Sequence, residues 1–114
     1  MSACIFCRII AGTIPAKIAF QDDRVLAFHD VNPQAPVHVL VIPKRHMESL
    51  QDMTREDGDL LAHLLMVCKE IGSDQGLCDS GYRVVTNVGR DAGQSVFHLH
   101  LHLLGGRHMS WPPG

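Results

Sequence analysis

Residues 97–103 read Phe-His-Leu-His-Leu-His-Leu, a strict alternation of apolar and imidazole side chains. Period two is the period of a strand, whose successive side chains point to opposite faces. The pattern predicts a strand over residues 96–104, closed by Gly105 and Gly106. On it His98, His100 and His102 project together, with neighbours on one face about 6.6 Å apart. Phe97, Leu99, Leu101 and Leu103 point the other way, into a core. A plain solvated strand face carries Thr, Lys or Glu as readily, so β-propensity does not account for three imidazoles in a row.

The rest of the chain supplies partners for that strand. "KIAFQD" and "RVLAFHD" are short β-prone runs separated by Asp22-Asp23, which suits a hairpin turn. "NPQAP" is a loop by its two prolines, and "VHVLVIP" is a strand closed by Pro43. Thr54 opens a helix, with Asp57 at capping-box spacing and Glu56 adding charge to the first turn. Leu60, Leu61, Leu64, Leu65, Cys68 and Ile71 form its apolar stripe, and Gly72 or Gly76 ends it. "YRVVTNVG" is a further strand and "RDAGQS" a polar loop. Near the start, Ile5, Ile9 and Ile10 suit a short helix stopped by Gly12 and Pro15. Strands in clusters around one long helix, without βαβ alternation, predict an α+β fold with a mostly antiparallel five-stranded sheet. The long helix packs on one sheet face.

At 114 residues the chain is expected to form a single domain, residues 1–114. Apolar residues make up 46%, enough for a core, and the net charge of -2 comes without a block of like charge. That argues against nucleic-acid and membrane-surface partners, whose binding is mainly electrostatic. No apolar run approaches the roughly 20 residues of a membrane span. The stretch "MSACIFCRII" is too short, and too soon interrupted by Arg8, for a signal peptide. The expectation is a cytoplasmic protein whose four cysteines are thiols. Cys68 belongs to the helix stripe, and Cys78 has no assigned role.

Eight histidines are a heavy load for this length, and imidazole is both the side chain that titrates near neutrality and the commonest metal ligand. Two chemistries suit the triple histidine. Imidazoles at i and i+2 can bind a metal. Alternatively, one neutral ring attacks phosphorus or an acyl carbon and later leaves, splitting one hard displacement into two. A nucleophilic ring needs one nitrogen bare and the other donating to an acceptor. It also needs donors for the phosphoryl oxygens, and Gln94, Ser95 and glycine-exposed backbone N–H groups lie just upstream. Asp30 reads equally as a turn residue or a ligand contact. His38 shares a strand face with Leu40 and Ile42 and reads as a core-facing imidazole; Asn87 is a turn residue or a ligand contact.

"HLHLHLL", residues 98–104, resembles the histidine triad motif, in which three histidines alternate with apolar residues. "DVNPQAPVHVLVIPKRH", "GYRVVTNVG", "GQSVFHLHLHLLGGR" and the terminal "WPPG" resemble the Hint branch of that superfamily, the histidine triad nucleotide-binding proteins. The likeness runs over almost the whole chain. It implies a homodimer whose strands join into one sheet. It implies hydrolysis of purine nucleoside phosphoramidates, such as adenosine 5'-phosphoramidate, to the nucleoside monophosphate and an amine. His100 is then the nucleophile, and His98 fixes its tautomer through a backbone carbonyl. His102 and His38 complete the phosphate site and manage protons. Ser95 and Asn87 contact the phosphate or leaving group, and Asp30 holds the ribose hydroxyls. Ile5, Phe6, Ile9, Phe28, His29 and Val31 line the base pocket, and Trp111 serves the partner subunit's leaving-group side. A third histidine in the triad resembles the hydrolase side of the superfamily; the nucleotidyl transferases carry Gln there. Apolar walls with few polar anchors imply weak discrimination between adenine and guanine.

Cys4 and Cys7 stand at metal-knuckle spacing, but two thiolates do not complete a tetrahedral zinc site. His46 and His98 are candidates for the remaining ligands, an arrangement that some members of the superfamily resemble. Other members lack the cysteines. Two buried thiols on a short helix are the plain alternative, and a redox pair lacks a surrounding thioredoxin-like βαβ pattern. Any such zinc is expected to be structural, with none required for catalysis. Three functions therefore compete: a metal-independent nucleotide hydrolase acting through His100, a nucleotide-binding or interaction protein with vestigial activity, and a zinc hydrolase built on the triad.

Overall fold

The two β-prone runs form β1 (Ile18–Gln21) and β2 (Val25–His29) in the computed structural model, which describes residues 3–114. Met1 and Ser2, part of the stretch considered above as a leader, lie outside the described residues. Asp22 makes the turn between the strands: its Oδ1 accepts from the N–H groups of Arg24 and Val25, both at 2.8 Å. β3 (Val37–Pro43) has the expected boundaries and pairs antiparallel with β2. β4 (Tyr82–Val85) and β5 (Leu101–Gly105) complete a sheet of order β1-β2-β3-β5-β4, antiparallel throughout. This is the α+β architecture expected.

A central strand covered on both faces reads as a continuous apolar run, as "VHVLVIP" does. Val39 and Val41 point to one side and pack with Leu64, Val67, Cys68 and Ile71 of α2 (Gly58–Asp74). Leu40 and Ile42 point to the other side and pack with Phe6 of α1 (Ile5–Ile10). The sheet is thus clamped between a 17-residue helix and a six-residue one.

α2 starts as expected. The Thr54–Asp57 capping box is present, and one turn of 3-10 helix over Arg55–Asp57 runs into the α-helix. Gly76, at φ 74°, lets the chain turn out after Asp74, and the Leu77 N–H closes back on the Gly72 carbonyl. The stripe is rotated from the expected one: Val67 is buried, whereas Leu65 is exposed. Spacing alone does not separate these two, because each is three or four residues from a core position. In α1 the buried side chain is Phe6, with Ile9 and Ile10 half-buried and Ile5 exposed.

The last strand is shorter than expected, because its ladder to β3 begins at Leu101. Continuing the Val41↔Leu101 register would set Leu99 opposite Pro43, which has no N–H to give. Leu99 donates instead to the Met47 carbonyl at 2.7 Å. Phe97, expected in the core, is 55% exposed, because the chain has left the sheet before reaching it. Leu99, Leu101 and Leu103 do enter the core beneath α2. Among the described residues no helix is long and apolar enough to cross a membrane.

Candidate active site

Because α1 is so short, it covers only part of its sheet face. Beside it lies a cavity of about 580 Å³, a normal size for a small-molecule site. Ile5, Phe6, Ile9, Phe28 and Leu40 form its apolar walls. Its polar lining includes Asp30, His38, Ser95, His100 and His102, brought together from the end of β2, the start of β3, the loop before β5 and β5 itself. His29 and Val31 also line it, but Val31 is 98% exposed and stands at the rim rather than forming a wall.

The hydrogen bonds set the state of each imidazole. His100 Nδ1 lies 2.7 Å from the His98 carbonyl oxygen, which can only accept. Nδ1 therefore carries a proton, which in the neutral ring leaves the lone pair on Nε2. His38 Nδ1 accepts the Gln34 backbone N–H at 3.0 Å, so its proton sits on Nε2. That Nε2–H donates to His102 Nδ1 at 2.9 Å, with Asp30 Oδ2 at 3.4 Å. The proton of His102 then rests on Nε2. Burial favours the neutral form of both rings. It lowers the pKa of His38 against the pull of Asp30. It lowers that of His102 to about 4, helped by the neighbouring His100 and His38 and opposed by Asp30.

Packing holds the nucleophile-like ring. Phe6 meets His100 edge-on at 5.2 Å and Phe28 at 5.4 Å, and the rings of His100 and His102 stand 4.9 Å apart. Thr86 Oγ1 donates to the His100 carbonyl at 2.9 Å. Thr86 and Gln34 escape sequence reasoning: one acts through a bond to main chain, the other through its own main chain. Asp30 is a turn residue that also lines the cavity. Its Oδ1 closes a turn with the Asn32 N–H at 2.9 Å, while Oδ2 faces the histidines. His38 does share a face with Leu40 and Ile42, and that face is the pocket side.

Two expected contacts stand outside the cavity's lining. Gln94 does not line the cavity; its Nε2 donates to the carbonyls of Glu48 and Val96, and its Oε1 accepts the Gly89 N–H. It is buried as a brace of the loop before β5, and a buried carboxamide so occupied has no donor for a phosphate. Asn87 is half-buried and is not among the lining residues. Trp111, expected on the partner subunit's side, is 81% exposed and lies near the Arg83 guanidinium.

A second constellation forms behind the first. Cys4, Cys7, His46 and His98 place one ligand atom each within 4.8 Å of all the others. His98 Nδ1 is 3.4 Å from Cys4 Sγ, 3.6 Å from Cys7 Sγ and 3.1 Å from His46 Nδ1. Cys7 Sγ is 3.3 Å from His46 Nδ1. Zinc bonds of about 2.0–2.3 Å in a tetrahedron give ligand–ligand edges of roughly 3.3–3.8 Å, so the donor set fits zinc. His98 resolves its two duties by using different atoms. Its Nε2–H donates to the Pro43 carbonyl at 2.8 Å, Nδ1 faces the thiols, and the backbone carbonyl holds His100. Burial, with charge repulsion from His46 and His100, keeps its ring neutral against the Pro43 bond.

Comparison with known proteins agrees with this geometry. Residues 11–109 match the HIT domain family. The chain is 57% identical over 110 residues to an uncharacterized HIT-like protein of Synechocystis, with 96% of each chain covered. Among solved structures, a HIT family hydrolase from Legionella pneumophila superposes with a TM-score of 0.95 at 50% identity, over 97% of this chain and 99% of that one. A histidine triad nucleotide-binding protein from Candida albicans gives 0.82 at 36% identity, over 96% and 83%.

Proposed function

The chain belongs to the HIT family, and from that premise we propose that it is a Hint-type hydrolase of purine nucleoside 5'-phosphoramidates. The observation that carries the reading is the 2.7 Å bond from His100 Nδ1 to the His98 carbonyl, which ties Nδ1 down as a donor and leaves Nε2 as the ring atom available to a ligand in the apolar pocket. The names of the Legionella and Candida relatives support a hydrolase and a nucleotide ligand.

The purine lies between Ile5, Phe6, Ile9 and Phe28, and Asp30 accepts from the ribose hydroxyls. His102 is neutral in the empty pocket, but a phosphate anion beside it favours the protonated ring. His100 Nε2 then attacks the α-phosphorus. The P–N bond breaks, and the leaving nitrogen takes the proton of His102 and departs as an amine. A nucleotide is left on His100, with His102 neutral. In the second step water attacks phosphorus and gives its proton to His102. The His100–phosphorus bond breaks, the nucleoside monophosphate leaves, and both rings return to their starting states. His38 holds His102 in line while that ring is neutral and turns its Nε2–H to Asp30 when His102 is protonated, and Ser95 at the pocket mouth contacts the phosphate or leaving group.

The thiol–imidazole cluster holds a structural zinc in this reading. It would tie Cys4 and Cys7 to His46 and His98, and catalysis needs no metal; reduced thiols at such a site suit the cytoplasm. The reading includes a homodimer. β4 ends the sheet with one side unpaired among the described strands, and Leu65, Met66 and Tyr82 are exposed. Pairing β4 with its copy would cover that edge.

The test is trapping. Protein mixed with adenosine 5'-phosphoramidate and quenched within milliseconds is digested and examined by mass spectrometry. A nucleotide on the peptide containing His100 is expected. Turnover with no such adduct, or full activity in His100→Ala, would refute the mechanism.

A further inference from the structure

The purine wall and the thiol cluster share their parts. α1 has only six residues and one buried side chain, too few for a helix to persist by itself. It is anchored at two kinds of place. Phe6 packs on Leu26, Phe28, Leu40 and Ile42, and Cys4 and Cys7 stand against His46 and His98. Cys4 also caps the helix, its Sγ accepting the Cys7 N–H. Ile5, Phe6 and Ile9 on this helix are one wall of the cavity.

The second shared part is His98. Its side chain belongs to the cluster, and its carbonyl holds the His100 ring. Phe6 touches both rings, at 5.9 Å from His98 and 5.2 Å from His100. The cluster lies near the surface, with His46 exposed and both cysteines half-buried, so a metal can enter or leave without the main core opening. A shallow groove over it shares Ile5, Ser95 and Val96 with the purine cavity.

We propose that metal occupancy of the Cys4–Cys7–His46–His98 cluster governs the nucleotide pocket, so that zinc and nucleotide bind cooperatively. The mechanical link is α1 on one side and the His98 main chain on the other. Without the metal the helix frays and the wall carrying Ile5, Phe6 and Ile9 loosens. By linkage the effect is reciprocal: nucleotide tightens zinc by the same factor by which zinc tightens nucleotide. This rests on the hydrolase reading for the identity of the ligand, and the coupling itself rests on the shared residues.

The experiment uses AMP, which binds without reacting, and the full chain in zinc-loaded and chelator-stripped forms. Calorimetry gives the Kd of AMP for each, and competition with a chromophoric chelator gives zinc affinity with and without AMP. The expected result is AMP binding weaker by about fivefold or more on stripping, with zinc affinity raised by the same factor when AMP is present. Cys7→Ser should behave like the stripped protein and should not respond to chelator. Equal AMP affinity in the two forms overturns the proposal. Amide hydrogen exchange provides a reading that needs no nucleotide. Stripping should accelerate exchange over Ile5–Ile10 and leave β3 protected. Unchanged exchange in α1, or loss of protection across β3 as well, also overturns it. If AMP binds neither form, the nucleotide reading fails, and exchange in α1 alone decides the coupling.

Discussion

The two faces of this sheet are built from the same strands and do opposite work. On the α2 face, Val39, Val41, Leu101 and Leu103 meet Leu64, Val67, Cys68 and Ile71, and the packing is apolar throughout. The Cys68 thiol there is pushed up to about 11 by burial, which makes it packing and not chemistry. On the α1 face, the neighbouring residues in sequence are His38, Leu40, His100 and His102. A 17-residue helix seals the first face and a six-residue helix only half covers the second. The difference teaches that a pocket here is made by what is left uncovered. The sealed face lends rigidity to residues whose neighbours in sequence carry polar groups into the open one.

The comparison can be broken most sharply at His100. His100→Ala should lower phosphoramidate kcat/KM by about 10⁴-fold or more, as for loss of other covalent nucleophiles, with little change in the urea midpoint. A large loss of stability would mean that the ring is packing. The converse substitution is Leu103→Ala on the sealed face. It should cost about 2–5 kcal/mol in urea unfolding, while the folded fraction keeps its turnover. Activity lost in proportion beyond the unfolded fraction would show that the faces are not separable.

Acidity should sharpen the same contrast. The folded pKa values of His38 and His102 lie below the ordinary 6.5, that of His102 at about 4. The unfolded chain therefore takes up these protons first as pH falls. Stability should be full above pH 6.5 and decline progressively toward pH 4. His102→Gln should flatten that decline in thermal melts read across the range, and an unchanged slope would remove His102 as its source. The smallest effect expected is at the capping box, on the sealed face's own helix. Thr54→Ala should cost about 1 kcal/mol with no change in kcat.

Much of this was legible in residue order. The run "VHVLVIP" closed by Pro43 located β3 to the residue, and period two sent Leu99, Leu101 and Leu103 to the core. Thr54 and Asp57 announced the start of the helical segment. What misled was local pattern continued past the point where a partner exists. The alternation at residues 97–100 persists, but Pro43 ends the ladder, so Phe97 lies outside. Gln94 looked like a donor for phosphate because only its type and place were visible; its bonds go to Glu48, Val96 and Gly89. Leu65 and Val67 differ only by which way the helix is turned about its axis.

The order of residues alone determined that the segment over residues 99–103 would send His100 and His102 one way and Leu99, Leu101 and Leu103 the other, because side-chain direction in an extended chain follows directly from position. Only the tertiary structure decided what each imidazole does. Tautomer depends on the partner that each ring nitrogen meets, and those partners come from afar: the Pro43 carbonyl for His98, His38 for His102, and Cys4 and Cys7 for His98 Nδ1. Hydrogen bonds act only across contact distances, and only the folded chain brings these segments into contact.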